Sequence, residues 1–236
     1  MKILGFHRLE ILADSTAKHR PLLKKLTQHR PEIYQEEEDR LFLAQPGFTS
    51  HIDWLPAKEL GQAQKGTNAF SGWTLMLSQL IYDQLIEGIN AHPSAKLDLN
   101  LAYDIYLLRA QTPEAQSIQL SSIHLTVDYA EALISFLCDL LDLSYQQEDA
   151  KTTAIKVGNC QQLYIHQRGD TQQAVLGNGQ MTCLEFAVAN QTHLAQVESR
   201  MVQKQIRYQQ ESNQFGQKRL SFRLGHFQFR ILALDE

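Results

Sequence analysis

From Ser121 onward one alternation of apolar and polar positions occurs twice. Ile123-His124-Leu125-Thr126-Val127 has an apolar residue at every second place, as a strand with one buried face requires, and Leu184-Glu185-Phe186-Ala187-Val188 follows 61 residues later. The first copy predicts a strand over Ser122–Tyr129, then a helix over Ala130–Leu141 with Leu133, Phe136, Leu137 and Leu140 on its inner face. Three short strands come next, near Ser144–Glu148, Thr152–Val157 and Gln161–Gln167. The second copy predicts a strand over Thr182–Asn190, a helix over Thr192–Gln205, and strands near Arg207–Glu211, Lys218–Leu224 and Phe227–Leu234. Tyr145-Gln-Gln-Glu-Asp and Tyr208-Gln-Gln-Glu-Ser lie 63 residues apart, and the turns Lys156-Val157-Gly158-Asn159 and Arg223-Leu224-Gly225-His226 correspond. The register therefore holds across a unit of about sixty residues. These observations predict an α+β protein with two βαβββ modules, 121–170 and 181–236.

The first 115 residues repeat less clearly. Gly5–Ala13 reads as a strand, Thr16–His29 as a helix with Leu22, Leu23 and Leu26 on one face, and Glu32–Ala44 as a two-stranded hairpin. Ile33-Tyr34-Gln35-Glu36-Glu37 stands where the later copies have Tyr-Gln-Gln-Glu, so this region is read as an α+β unit holding a degenerate module with a helical insertion. Between Pro46 and Gly66 the apolar period lapses, which predicts a long loop. Its His51-Ile52-Asp53-Trp54 would put an imidazole and a carboxylate on one side of an extended chain, although such pairs in loops are more often surface features. Phe70–Ile89 predicts a helix through Trp73, Leu77, Leu80, Ile81 and Leu85, and Leu97–Ala110 a strand returning to the first sheet. Thr112-Pro113-Glu114-Ala115 is the best linker, separating 1–115 from the paired modules in 119–236. Arg168-Gly169-Asp170 and Gly177-Asn178-Gly179 read as turn chemistry between the copies.

Composition narrows the function classes. With 236 residues the chain can bury a proper core, and 22 basic against 26 acidic residues leave no footprint for nucleic acid. Cys138, Cys160 and Cys183 form no disulfide framework and no Cys-x-x-Cys, and the start of the chain has no signal-like stretch. A reducing, cytoplasmic setting is expected. In the most apolar window, Phe70–Ile89, a central Asp83 would cost about 3 kcal/mol in a bilayer, so no membrane span is expected. The expected partner is a small-molecule ligand, with a homodimer left open.

The doubled pattern, carried by Ile123-His-Leu-Thr-Val-Asp-Tyr-Ala-Glu-Ala-Leu-Ile-Ser-Phe-Leu and by Cys183-Leu-Glu-Phe-Ala-Val, resembles the vicinal oxygen chelate superfamily. That superfamily includes glyoxalase I, fosfomycin and bleomycin resistance proteins and extradiol dioxygenases. The resemblance implies two modules whose curved mixed sheets surround a ligand cavity, with a divalent metal in many members. Carried over residue by residue, the opening-strand ligand falls on Ser122 and Cys183, and the late-strand glutamate on Tyr164 and on Gln228 or Arg230. Such residues are poor ligands for a hard or borderline ion, so no cofactor is expected at the usual positions, a divalent metal ion remaining the alternative.

Strand alternation turns Leu125, Val127, Leu163, Ile165, Leu184, Phe186 and Val188 toward the helices, and Ser122, His124, Thr126, Gln162, Tyr164, His166, Cys183 and Glu185 toward the cavity. His124 and Glu185 are then symmetry mates expected in one pocket, where the carboxylate would favour a protonated imidazole or a metal bridging the two. Three readings follow. The first is a small-molecule-binding protein of the glyoxalase or bleomycin-resistance type, with Tyr164, His166, Gln162, Arg230 and Cys183 as contacts. The second is a metal-dependent lyase, isomerase or dioxygenase with a relocated site of His124, His166 and Glu185, in which Glu185 and His124 move protons. The third is a non-catalytic structural or partner-binding module.

Overall fold

The computed structural model describes residues 1–13, 19–56, 69–86, 94–97, 99, 101, 103–111, 117–168, 180–213 and 216–234. They build one α+β motif four times. The first module is β1 (Ile3–Ala13), α1 (Arg20–His29), β2 (Tyr34–Gln35), β3 (Arg40–Gln45) and β4 (Phe48–Pro56). The second is shorter, with β5 (Ala69–Leu77), α2 (Gln79–Leu85), β6 (Ser94–Leu97) and β7 (Asp104–Arg109). The third is β8 (Ile118–Val127), α3 (Ala130–Leu141), β9 (Tyr145–Asp149), β10 (Thr152–Val157) and β11 (Gln161–Gln167). The fourth is β12 (Met181–Val188), α4 (Gln191–Gln203), β13 (Tyr208–Ser212), β14 (Lys218–Leu224) and β15 (Phe227–Ala233). In each module the first strand runs parallel to the last, β1 to β4, β5 to β7, β8 to β11 and β12 to β15. Among the described residues no helix is long and apolar enough to cross a membrane.

The elements of the last two modules follow the sequence pattern closely, but two upstream segments do not, and the strand within Leu97–Ala110, expected to return to the first sheet, pairs with β5 and β6 instead. Phe48–Pro56, expected in a loop, is an interior strand: Ser50, Ile52 and Trp54 are buried on one face while His51 and Asp53 take the other. The polar residues that broke the apolar count are the alternation itself. Ala69–Leu77, expected as helix, is also an interior strand, lying between β7 and β8. Phe70, Trp73, Thr74, Leu75 and Leu77 are all buried, because an interior strand is covered on both faces and loses the period of two. The linker at 112–115 and the turns at 169–170 and 177–179 lie outside the described residues.

The pairing of modules differs most from the expectation. The eight-stranded sheet one runs β13-β14-β15-β12-β1-β4-β3-β2, and the seven-stranded sheet two runs β6-β7-β5-β8-β11-β10-β9. First strands pair antiparallel with first strands, β1 with β12 and β5 with β8. The third and fourth modules, expected to share a cavity, therefore belong to different sheets. Once β5 and β8 are paired, only β1 and β12 retain a free first-strand edge, and they close on each other.

The two sheets share one apolar core, to which Phe6, Leu9, Ile52, Phe186 and Phe229 contribute from sheet one and Trp73, Leu75, Ile123, Leu163 and Ile165 from sheet two. The faces pointing away from that core look outward on opposite sides. Helices close its ends in pairs: Arg200 on α4 donates to the Asp139 and Leu140 carbonyls at the end of α3, and Lys25 on α1 to the Leu85 carbonyl at the end of α2. Between the sheets runs a buried polar seam. Gln161 Oε1 accepts from the Phe6 N–H at 2.6 Å, Gln161 Nε2 donates to the Leu120 carbonyl at 3.0 Å and to Ser50 Oγ at 3.3 Å, and Ser50 Oγ donates to the Phe6 carbonyl at 2.6 Å.

The two corresponding turn glycines sit differently. Both have positive φ, +63° at Gly158 and +59° at Gly225, but a Cβ at Gly158 would collide with the Leu4 carbonyl of the other sheet, whereas one at Gly225 would meet nothing. Gly225→Ala should therefore cost about 1 kcal/mol of left-handed strain. Gly158→Ala should cost about 3 kcal/mol, because the sheets must also move apart. Urea midpoints of the two variants measure the difference, and equal losses would show that the turn does not seat against sheet one.

Candidate functional site

The outward face of sheet two collects His124, Gln162, Tyr164 and His166 as the alternation requires, together with Thr74, Asp104 and Tyr106 from the second module. Tyr164 is the register partner of His124 on the adjacent strand, and their rings stack 4.9 Å apart. His166 lies parallel to His124 at 5.4 Å, and Tyr106 approaches from the other side at 5.2 Å over Gly72, which has no side chain to block it. The nitrogens are spent within this group. His124 Nδ1 meets His166 Nε2 at 3.1 Å, His124 Nε2 lies 2.9 Å from Thr74 Oγ1 and 3.0 Å from Ser122 Oγ, and His166 Nδ1 lies 3.3 Å from Thr152 Oγ1. Tyr164 donates to Gln162 Oε1 at 2.7 Å, and Lys96 pairs with Asp104 at 2.9 Å. Burial and the adjacent His166 bring the His124 pKa down to about 3, so the ring is neutral, and burial also lowers His166.

The outward face of sheet one is built on charge. A β-bulge between Phe6 and Arg8, opposite Phe186 and Glu185, turns both His7 and Arg8 onto this face while Phe6 and Leu9 stay in the core. His7 Nδ1 lies 2.6 Å from Glu185 Oε1, and Arg219 reaches Glu185 at 4.0 Å and Glu211 at 2.7 Å. Burial alone would push the Glu185 carboxyl up; the His7 hydrogen bond and the charges of His7, Arg8 and Arg219 outweigh it and hold it below the usual range. A second chain runs from Arg230 to Glu10 at 2.6 Å, and from Arg8 and Arg40 to Asp53 at 3.5 and 2.8 Å. His51, between His7 and Phe42, is brought to about 4 by burial and by the charges of His7 and Arg8, so its ring is neutral. Three buried nitrogens here have no hydrogen bond: Arg8 Nε, which is near Asp53 but off line, Arg230 Nε and His51 Nδ1. At the β13 end, a cavity of about 620 Å³ is lined by Arg207, Gln209, Ser221, Arg223 and Gln228 among others, and Ser221 is the register partner of Arg230.

The expected shared pocket is therefore divided. His124, Gln162, Tyr164 and His166 stand on sheet two; Cys183, Glu185 and Arg230 stand on sheet one, across the core. The His124–Glu185 pair and the relocated metal set of His124, His166 and Glu185 are both overturned by this pairing, and His124 is neutral rather than protonated. Glu185 has His7 as its partner instead. The residues also fit a divalent metal poorly. On sheet two the Asp104 carboxylate is taken up by Lys96 and Tyr106, and on sheet one Arg230, a cation at one of the two positions expected for the late-strand ligand, is bound to Glu10, while burial pushes the Cys183 thiol far up. Among the described residues no group of three or more His, Cys, Asp or Glu could hold a metal ion. Sequence reasoning missed His7, Arg8, Glu10 and Arg219 as site residues, and set His51 and Asp53 aside as a surface pair. The signal present was His51-Ile-Asp53, which does place imidazole and carboxylate on one face, in a strand.

No protein-family model matches the chain, and no curated protein matches it in sequence at a significant level. Among solved structures it is similar to a Bacillus subtilis protein described provisionally as a dioxygenase, with a TM-score of 0.72 and 10% identity, covering 98% of this chain and 86% of that one. It is also similar to a lactoylglutathione lyase from Agrobacterium tumefaciens, with a TM-score of 0.40 and 15% identity over 52% of this chain and 96% of that one. A Bacillus halodurans glyoxalase assignment matches with a TM-score of 0.38 and 13% identity over 48% of this chain and 94% of that one.

The lowered pKa values give a signed prediction. His124 and His51 bind a proton more weakly folded than unfolded, so the unfolded state takes up protons first as pH falls below about 6.5, and stability declines from there toward pH 4. Urea midpoints should drop across that window. His124 ring signals should show no NMR inflection between about pH 5 and 8, in the wild type or in Glu185→Gln. An inflection that moved in Glu185→Gln would place the two residues together after all.

Proposed function

We propose that this chain, which has the fold of the vicinal oxygen chelate superfamily, binds a small oxyanion on the outward face of sheet one without a metal at the superfamily's usual position. The observation that carries this reading is the trio of unmatched buried nitrogens, Arg8 Nε, Arg230 Nε and His51 Nδ1. A buried donor without an acceptor costs about 1–3 kcal/mol, and an anionic oxygen that meets it recovers that energy in a charge-assisted bond. Arg8, Arg40, Arg219 and Arg230 are balanced on this face by Glu10, Asp53, Glu185 and Glu211, so selection comes from the direction of the free N–H groups rather than from excess charge. Cys183 and Glu185 line this site but accept no metal; Glu185 holds His7 and helps fix Arg219.

His124, Gln162, Tyr164 and His166 have no part in this binding, because their hydrogen bonds are already made to one another and to Thr74, Ser122 and Thr152. The metal-dependent lyase, isomerase or dioxygenase reading needs an imidazole and carboxylate set that the described residues do not bring together.

Calorimetry with acetate, malonate, succinate and inorganic phosphate tests the proposal. At least one should bind, Arg230→Gln should weaken it by about tenfold or more, the scale of one charge-assisted hydrogen bond, and His166→Gln should leave it unchanged. Binding lost in His166→Gln and kept in Arg230→Gln would move the ligand to sheet two. An anion beside neutral His51 favours its protonation, so affinity should rise as pH falls from 7 toward 5.

A further inference from the structure

At the β13 end of sheet one, two arginines have no counter-charge. The β13–β14 register pairs Gln209 with Ser221 and Tyr208 with Phe222, so the next step sets Arg207 beside Arg223. Both line the cavity of about 620 Å³ together with Gln209, Ser221 and Gln228, and no carboxylate is among its described lining residues. The other arginines of this face are paired: Arg8 and Arg40 with Asp53, Arg219 with Glu211, and Arg230 with Glu10. Arg207 and Arg223 make no hydrogen bond or ion pair among the described residues. Like charges side by side on neighbouring strands repel, so this pair weakens the fold unless an anion lies between them.

The fold itself does not ask for these charges. In the first module Tyr34 pairs with Leu41 as Tyr208 pairs with Phe222 in the fourth, so Ile33 corresponds to Arg207 and Phe42 to Arg223. Ile33 and Phe42 line an equivalent cavity of about 300 Å³ at the other end of the sheet, where Arg30 is bound to Glu32. Between the unpaired arginines and Arg230 stands Ser221, the register partner of Arg230. Its buried Oγ accepts from Gln228 Nε2 at 3.1 Å, and its own hydrogen has no acceptor among the described residues. Donors therefore lead from Arg230 Nε past Ser221 Oγ to Arg223 and Arg207. Strand spacing sets the Cα of Arg223 about 7 Å along β14 from Ser221 and that of Arg230 about 5 Å across, roughly 8–9 Å from each other.

We infer that the ligand of this face carries two anionic groups on a short chain, one held by Arg230 and Arg8 and the other between Arg207 and Arg223. The inference rests on the oxyanion reading above and names the class of ligand for that same site. A guanidinium offers a carboxylate two parallel N–H donors, and two guanidinium groups without a carboxylate of their own can take an anion without displacing one. Ser221 donates to the middle of the molecule. Once one anionic group is held, the second binds as an intramolecular event, so chain length decides the affinity: a chain that is too short forfeits one end.

Acetate and butyrate, with one carboxylate, are titrated by calorimetry beside malonate, succinate, glutarate and adipate, with two, at constant ionic strength and pH. The expected result is a chain-length optimum among the dicarboxylates, the best of them binding about tenfold or more tighter than butyrate. Arg207→Gln and Arg223→Gln should each remove most of that advantage and leave acetate binding as it is. Their urea midpoints without dicarboxylate should equal or exceed that of the wild type, since a repulsion is relieved, whereas a structural role would lower them. If acetate and butyrate bind and no dicarboxylate binds tighter, the inference is overturned while the oxyanion reading stands. A dicarboxylate preference kept in both Arg207→Gln and Arg223→Gln overturns it as well. If none of the acids binds, the oxyanion reading fails first and the inference falls with it.

Discussion

The backbone of Phe6 is the point on which the two halves of the molecule depend. A bulge in an interior strand displaces backbone groups from the ladder, and inside a core those groups must find other partners. Here the Phe6 N–H is met by Gln161 from sheet two and its carbonyl by Ser50 from β4. Gln161 in turn holds the Leu120 carbonyl of sheet two, so one amide side chain both docks the sheets and stabilises the distortion of β1. Gly5 takes part, because a Cβ there would collide with Gln161 Oε1. The geometry on the outward face of sheet one is thus fixed from behind, by a residue of the opposite sheet.

The same core explains why the outward faces have become different surfaces. Both are outward faces of paired modules, and both carry two histidines near the junction of first strands. On sheet two the rings face one another and neighbouring hydroxyls, and each nitrogen has a partner. Neutral imidazoles suit that setting, because two protonated rings 3.1 Å apart at their nitrogens would repel strongly. On sheet one carboxylates and guanidinium groups alternate across the strands, and the pairing leaves donors over. A closed network stabilises the fold, whereas an open one leaves free energy to be gained by binding.

Much of this was legible in the chain, and the illegible part has a definite cause. Alternation named the outward residues of β8, β11 and β12 correctly, since a strand with one buried face has no other way to place Ile123, Leu163 or Leu184. It could not say which first strand pairs with which. A repeat shows that two segments fold alike; it carries no information about whether they face each other, because every first strand offers the same edge. His124 and Glu185 are equivalent in the pattern and separated by the core for that reason. β5 was illegible for another: Phe70, Trp73, Thr74 and Leu75 are all buried, so the strand has no exposed side to mark its period. His7 was hidden by the bulge, which breaks the alternation from which faces are assigned.

Arg230 links these observations. It stands on the last strand of its module, opposite Glu185 in register. A guanidinium there supplies positive charge as directed N–H groups on a tether. One of its nitrogens is satisfied by Glu10 while Nε is not, so the group is held in place by one contact and still has a donor to offer. Arg230 is engaged by Glu10 instead, and Glu185 on the neighbouring strand is left to His7 and Arg219.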